Sequence, residues 1–90
     1  MVVSNLKLEQ SEFLKALNRG HEIEVCFCEK WYFFCTNKRK KRTTYLFSEI
    51  SNHKDSKELL FDSEEELMKM KIQSYTLDKV LDNLEDYTIF

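Results

Sequence analysis

The stretch EVCFCEKWYFFC, residues 24–35, decides the fold, because it predicts two strands that follow each other too closely to enclose a helix. Apolar and polar residues alternate in its first half, as they do in a strand with one buried face. A two-residue turn at Cys28-Glu29 or at Glu29-Lys30 would join the two strands into a hairpin. No Asn-Gly pair favours so tight a turn, so a longer loop with a different register stays open.

In either two-residue register the hairpin is apolar on both faces. The face predicted to join the core carries Ile23, Val25, Phe27, Tyr32 and Phe34. The opposite face gathers the thiols and the remaining aromatic side chains, which are Cys26, Cys28, Trp31, Phe33 and Cys35. If the helices cover only the core face, this second set is exposed, and an exposed apolar patch with an aromatic anchor marks an interaction site. The alternative is a helix that crosses to this face and buries it.

We therefore predict a partner-binding surface formed by Cys26, Trp31, Phe33 and Cys35. Exposed aromatic patches on sheets promote aggregation unless another chain covers them. We expect that chain to be a second copy, which would make a homodimer, or a target protein.

The first half of the chain predicts one helix and two further strands. The helix lies in EQSEFLKALNRGH, residues 9–21, with a start between Ser4 and Glu9 and with Ser4 or Asn5 as the N-terminal cap. Gly20 stands where a left-handed C-terminal cap belongs. TTYLFSEI, residues 43–50, predicts a third strand; SNHKDSK, residues 51–57, predicts a polar loop; and ELLF, residues 58–61, predicts a short fourth strand.

The second half predicts two helices. In FDSEEELMKM, residues 61–70, Ser63 and Glu66 fit a capping box, and Asp62 with Glu65 fits the same box one residue earlier. TLDKVLDNLEDYTIF, residues 76–90, predicts an amphipathic helix. Its apolar stripe consists of Leu77, Val80, Leu81 and Leu84. The last four residues, YTIF, are a candidate terminal strand.

These elements predict an α+β fold, in which an N-terminal helix and two C-terminal helices pack on an antiparallel meander sheet of about four strands. A chain of 90 residues fits a single domain spanning residues 1–90. Neither a signal peptide nor an apolar run of roughly 20 residues that could span a bilayer is recognisable. We therefore expect a cytoplasmic protein whose three cysteines stay reduced.

The strongest charge feature is the run NKRKKR, residues 37–42, which predicts a basic loop. Its cations are Lys38, Arg39, Lys40, Lys41 and Arg42. As a nucleic-acid contact they would pair with phosphates, while Trp31, Phe33 and Tyr45 would stack on unpaired bases. The other interpretations are docking on an acidic protein surface, or a loop that is merely solvated.

Charge is spread unevenly along the chain. Residues 1–54 hold ten Lys and Arg against six Asp and Glu, a balance of +4, whereas residues 55–90 hold four against ten, a balance of −6. The acidic residues from 55 to 86 are explained by helix capping and solvated helix faces. Mimicry of DNA phosphates is the alternative, and the total charge of only −2 disfavours it.

The thiols do not predict a metal site or an enzyme. Cys26, Cys28 and Cys35 with His21 or His53 would supply enough ligands for zinc, but structural zinc ligands usually come as C-x₂₋₄-C pairs on turns. We therefore expect no cofactor and no metal, with the cysteines packing as small apolar side chains. Neither an evident base for a nucleophilic cysteine nor a glycine-rich phosphate loop is present, so we expect no catalytic residue and no enzymatic activity.

The segment FLKALNRGHEIEV, the aromatic hairpin after it, and FDSEEELMKMKIQSYTLDKVLDNLEDYTI resemble small uncharacterised proteins of phages and mobile elements of low-GC bacteria. In those proteins an opening of the form FL.AL..G.EIEF.Y leads to FD..EELL...I.GKTL.EIW....ID.I, and the likeness spans Phe13 to Ile89. This chain departs from that pattern where Cys28-Glu29-Lys30 replaces a turn with glycine, and where Cys26 and Trp31 replace polar residues.

The resemblance implies a fold and a genomic setting rather than a catalytic motif. By analogy with small phage proteins that inhibit bacterial defence, including anti-CRISPR proteins, we expect a non-enzymatic protein-binding module. Its partner would be a host protein such as a defence nuclease or effector, met in the cytoplasm of a bacterial host. The alternative is a small nucleic-acid-binding regulator that uses residues 38–42.

Overall fold

The hairpin of residues 24–35 forms two interior strands of the sheet. The computed structural model describes residues 6–39, 41–50 and 58–90. In chain order the elements are α1 (Gln10–Asn18), β1 (Ile23–Phe27), β2 (Lys30–Arg39), β3 (Arg42–Ile50), β4 (Glu58–Phe61), α2 (Glu64–Lys69), β5 (Lys71–Ile72), β6 (Tyr75–Thr76), α3 (Leu77–Leu81) and β7 (Asp86–Ile89).

The main sheet has five strands in the order β4-β3-β2-β1-β7, and every neighbouring pair is antiparallel. The α+β prediction is confirmed, and β1 to β4 form the expected meander. The candidate strand at the chain end is present as β7, which pairs with β1 and makes the sheet one strand wider than predicted. A separate two-stranded ribbon, β5 with β6, was not predicted.

The central hairpin turns at Cys28-Glu29, because Phe27 pairs with Lys30. Both turn residues have positive φ, 49° for Cys28 and 66° for Glu29. This backbone suits the right-handed twist of a hairpin, although Asn-Gly is the usual pair for it. The turn corrects one expectation, since Cys28 is an exposed turn residue and does not lie on a strand face.

The first helix begins later than predicted. Its first residue is Gln10, and Glu9 occupies the cap position without a side-chain hydrogen bond. The preceding chain is extended because it pairs with the C-terminal region: Leu6 N–H donates to the Leu84 carbonyl (2.7 Å) and Leu8 N–H to the Leu81 carbonyl (2.9 Å). The predicted caps Ser4 and Asn5 lie outside the described residues. Gly20, with φ at +88°, has the predicted left-handed conformation after the helix.

In α2 the ambiguity of the cap is resolved in favour of Ser63, whose hydroxyl accepts from Glu66 N–H (3.2 Å). The Glu66 carboxylate bonds the N–H of Asp62 (3.1 Å), one residue before the cap. The C-terminal helix is shorter than predicted, since α3 ends at Leu81. The predicted stripe is nonetheless fully buried, because Leu84 continues into the core from the segment that pairs with Leu6.

The core lies between the helices and one face of the sheet, which we call the inner face. Phe13 of α1 packs edge-on against Phe34 of β2, with ring centroids 5.1 Å apart, and Phe34 in turn packs against Phe47 of β3 at 5.2 Å. Helices α2 and α3 add four buried aliphatic side chains, Leu67, Leu77, Val80 and Leu81. No helix in the described ranges is long and apolar enough to cross a membrane.

Candidate functional site: the outer face of the sheet

The face of the sheet opposite the core, which we call the outer face, carries an apolar patch. The strand register brings its members side by side: Trp31 of β2 lies between Cys26 of β1 and Ile50 of β3, and Cys35 of β2 pairs with Leu46. Leu46 in turn pairs with Leu60 of β4. We define the outer patch as Cys26, Trp31, Phe33, Cys35, Leu46, Ile50 and Leu60.

All four residues predicted to bind a partner belong to this patch. Leu46, Ile50 and Leu60 were not predicted, although the alternation within TTYLFSEI carried a usable signal. In that strand Tyr45 and Phe47 are buried, so the residues between and beyond them had to face outward. Leu60 could be placed only from the register of β4, which the sequence does not define.

The patch is partly open to solvent. Leu60 is 64% exposed and Ile50 is 44% exposed, and Trp31, Phe33, Cys35 and Leu46 are partly exposed. Cys26, which we predicted as a partner-binding residue, is buried at the side of the patch (8% exposed). The core and the side chains packed against it come from the inner face, the helices and neighbouring segments, and among the described residues they include none of the other six members of the outer patch. In the described part of the chain, therefore, no helix crosses over to bury this face.

Carboxylates flank the patch on both sides. Glu24 of β1 and Asp86 of β7 lie on the outer face beside Phe33 and Cys26, and Glu58 of β4 lies on the other side of the patch, across β3. Nearby carboxylates also affect the two thiols of the patch. Burial, followed by the nearby charges of Glu85 and Asp86, raises the pKa of the Cys26 thiol. Burial, followed by Glu22 and Glu58, raises the pKa of Cys35.

The zinc ligands considered for this region are spread apart. Cys28 lies in the turn, and Cys35 is four residues beyond Trp31 on β2, which corresponds to about 13 Å along the strand. The ring of His21 contacts the carbonyl oxygen of Phe90 through Nδ1 at 2.6 Å. His53 lies outside the described residues. Within the described ranges no three His, Cys, Asp or Glu side chains are grouped as a set of metal ligands.

The basic run is not the loop that we predicted. Strand β2 continues through Lys38 to Arg39, and β3 begins at Arg42, so the described residues of the run lie at the tip of a two-stranded ribbon that extends beyond β1. These residues form strands because Lys38 and Asn37 pair with Thr43 and Thr44, and threonine favours strand structure. Lys41 lies in the turn, and Lys40 falls outside the described residues. We call this tip, residues 37–39 and 41–44, the basic ribbon.

Two cations of the basic ribbon are held by neighbouring elements. The Lys38 ammonium donates to the carbonyl oxygen of Asn18 (2.6 Å), at the end of α1. The Arg42 guanidinium forms an ion pair with Asp62 (2.7 Å), just before α2. These contacts fix the base of the ribbon against the helices, while the side chains of Arg39 and Lys41 are exposed.

The helical side of the molecule has an open groove of about 530 Å³ between α1 and α2. Leu14 and Met68 contribute apolar surface, and the polar lining includes Glu64, Glu65 and Asp78. Glu64 already accepts a hydrogen bond from the Asn18 amide (2.8 Å), which links the two helices. The groove therefore carries a structural contact, and the outer patch is the better candidate site.

The outer patch is an apolar surface of seven side chains with a tryptophan within it, bordered by carboxylates and followed along β2 by a cationic ribbon. Such an arrangement can bind another surface but presents no evident reacting group. No protein-family model, no curated protein and no solved structure matches this chain.

Proposed function

We propose that this protein is a non-enzymatic protein-binding module and that the outer face of the sheet is its binding surface. The observation that carries the proposal is the outer patch, which the helices leave uncovered. Each large apolar side chain that a partner buries contributes up to roughly 1.5–3 kcal/mol, so Trp31, Phe33 and Leu60 together suffice to anchor a complex.

The chemistry of the thiols supports binding over catalysis. A cysteine nucleophile reacts as its thiolate, and reactive cysteines have a lowered pKa in an electropositive environment. Cys26 and Cys35 are in the opposite situation, because burial and neighbouring carboxylates raise the pKa of each. Both thiols are therefore small apolar side chains at neutral pH, of which Cys35 is partly exposed to a partner and Cys26 is buried beside the patch.

The class of target follows from the resemblance to phage and mobile-element proteins. We propose that the partner is a bacterial defence protein, such as a nuclease or an effector, and that binding inhibits it. The site of action is then the cytoplasm of the bacterial host. A rigid, preformed sheet face suits an inhibitor, because little conformational entropy is lost when it docks.

A plating assay tests this function. Bacteria carrying a CRISPR or restriction system and expressing the protein should give at least tenfold more plaques from a targeted phage than cells without it. The double substitution Trp31→Ser and Phe33→Ser should abolish that gain while the circular dichroism spectrum stays unchanged. Tyr75→Ser is the matched control, because it removes an aromatic ring of β6 that is 52% exposed and packs on Phe27, away from the patch, and its circular dichroism spectrum should likewise stay unchanged. Unfolding of the double variant would show that Trp31 and Phe33 belong to the core and would refute the proposal.

The basic ribbon favours a second candidate function. A two-stranded ribbon is one of the shapes that the major groove of DNA admits, and Arg39 and Lys41 are exposed at its tip. A nucleic-acid-binding regulator would bind a labelled duplex with an affinity that falls steeply with salt. The double substitution Arg39→Gln and Lys41→Gln should then remove binding, whereas Trp31→Ser should leave duplex binding unchanged.

A further inference from the structure

We propose that a second copy of the chain covers the outer patch, in an antiparallel face-to-face dimer that places the basic ribbon of each copy over the acidic end of the other. This inference rests on the proposed function, since it names what occupies the binding surface of the free protein. A target protein is the alternative occupant. The argument depends on how charge is distributed along β2.

The acidic end lies at the start of β2. There the Glu29 N–H donates to the Glu85 carboxylate (2.6 Å), which brings two acidic residues together at the hairpin turn. Asp86 follows on the outer face, opposite Cys26. Lys30, the first residue of β2, forms an ion pair with Glu49 (3.6 Å). We define the acidic corner as Glu29, Glu85 and Asp86.

The basic ribbon lies at the other end of the same strand. Trp31 and Arg39 are eight residues apart on β2, which corresponds to about 26 Å. The outer patch occupies the interval between the two charged ends, with Phe33 and Cys35 near its middle. Along β2 the outer face therefore runs from the acidic corner, through the outer patch, to the basic ribbon, with Glu24 and Glu58 at the sides of the patch.

A two-fold axis that packs such a face on itself lies parallel to the sheet, and its two limiting directions are along the strands and across them. With the symmetry axis along the strands, ribbon would lie on ribbon and acidic corner on acidic corner, and like charges would repel. With the axis in the plane of the sheet and perpendicular to the strands, near Phe33 and Cys35, each ribbon lies over the acidic corner of the other copy. Opposite charges then meet at both ends. Glu24 and Glu58 lie at the sides of the patch in both arrangements and do not distinguish them, so the charges at the two ends of β2 select the antiparallel arrangement.

The area of the face is close to what a dimer needs. From the strand lengths, at about 3.3 Å per residue and about 4.8 Å between strands, the sheet covers roughly 500 Å² in plan. Protruding side chains such as Trp31 and Leu60 raise the accessible area toward the roughly 800 Å² per partner that a standard interface buries. Two aligned sheets also pack readily face to face.

Charge reversal distinguishes this dimer from any other. We would measure mass by sedimentation velocity from about 1 to 100 µM, a range that covers the weak and moderate affinities expected for an interface of this size. Wild type should form a dimer of its 10.9 kDa chains. A ribbon variant, Arg39→Glu with Lys41→Glu, and a corner variant, Glu29→Lys with Asp86→Lys, should each weaken self-association about tenfold or more. An equimolar mixture of the two should associate again, because both ends of the mixed dimer then join opposite charges.

The remaining outcomes separate this inference from the proposed function. If wild type stays monomeric at 10.9 kDa but keeps its Trp31-dependent effect in the plating assay, the dimer is wrong and the proposed function still holds. A wild-type dimer whose charge variants do not recover on mixing would overturn the antiparallel arrangement. A Trp31→Ser and Phe33→Ser variant that remains dimeric would overturn the choice of face, and one that unfolds would overturn both proposals. Binding of wild type to a DNA duplex without self-association would also overturn the dimer.

Discussion

Tyr45 and Asn18 are joined by a hydrogen bond of 2.8 Å that links strand β3 to the last residue of helix α1. The tyrosine hydroxyl donates to the Asn18 side-chain oxygen, and the Asn18 amide donates onward to Glu64 at the start of α2 (2.8 Å). One short network therefore fixes two helices against the inner face of the sheet. The same end of α1 also holds the Lys38 side chain at the base of the basic ribbon.

We expect Tyr45→Phe to lower the free energy of unfolding by about 1 kcal/mol, because it removes one hydrogen bond and leaves the partly buried Asn18 oxygen without its donor. Urea denaturation of wild type and variant measures the difference. Tyr75→Phe is the matched control, since that ring is 52% exposed, and it should change the free energy of unfolding by less than about 0.5 kcal/mol. Equal effects of the two substitutions would contradict a stabilising role for the Asn18 contact.

Much of the sheet could be predicted because the sequence patterns that specify its strands lie within short segments. A period of two in residues 23–35 and 43–50 defines strands and assigns each side chain to a face, and tight connections then force an antiparallel order. The Ser63 cap and Gly20 are equally local signals. The outer patch was partly predictable for the same reason, through Trp31 and Phe33.

The remaining features depend on contacts between distant segments. Leu84 fits the helical spacing of Leu77 and Leu81, yet the helix ends before it, and Leu84 pairs instead with Leu6 near the other end of the chain. That pairing also keeps residues before Glu9 out of α1. Strands β5 and β6 have two residues each, which is too short for any periodicity. The basic ribbon was wrongly predicted to be a loop. A run of charged residues predicts exposure to solvent, whereas strand formation depends on the residues that pair across the turn.

The buried stripe of the C-terminal region predicts a large effect of Leu81→Ala. Leu81 is 1% exposed, and its carbonyl oxygen accepts from Leu8 N–H (2.9 Å). Truncation should cost roughly 2–4 kcal/mol, through lost apolar contact and the cavity left behind. We would measure it by urea denaturation, with the exposed neighbour Lys79→Ala as the control. A loss below about 1 kcal/mol would mean that the core can collapse around this position.

Two tight turns, Cys28-Glu29 and Gln73-Ser74, predict that glycine substitutions would stabilise this protein. Glu29 (φ 66°) and Ser74 (φ 74°) both have left-handed backbone conformations that side chains disfavour. Glu29→Gly and Ser74→Gly should each raise the free energy of unfolding by up to about 1 kcal/mol, because glycine adopts this conformation without a steric penalty. Lys71→Gly, at an exposed strand position, should lower it by roughly 0.5–1 kcal/mol. If all three substitutions destabilise, side-chain contacts at the turns outweigh the backbone strain.

The last prediction concerns pH. Burial is the largest cause that raises the pKa of Cys26, Cys35 and Tyr45, and nearby carboxylates add to it in each case. A group whose pKa is higher in the folded protein than in the unfolded chain holds its proton longer when folded. The unfolded chain therefore loses protons first as pH rises past the ordinary values of 9.0 for the thiols and 10.0 for the tyrosine. Stability contributed by these groups is complete below those values and declines above them.

We accordingly expect urea denaturation under reducing conditions to give a lower free energy of unfolding at about pH 10.5 than at about pH 7.5, because the unfolded chain has then lost protons that the folded chain retains. Replacing Cys26 and Cys35 by alanine should make that decline smaller, since the variant has fewer groups whose ionisation favours unfolding. Cys28→Ala is the matched control, because this thiol is exposed in the hairpin turn and is the smallest of the causes acting on Cys26, so it should reduce the decline by less than the other two substitutions do. The explanation fails if stability is equal at the two pH values, or if Cys28→Ala reduces the decline as much as the other two substitutions do.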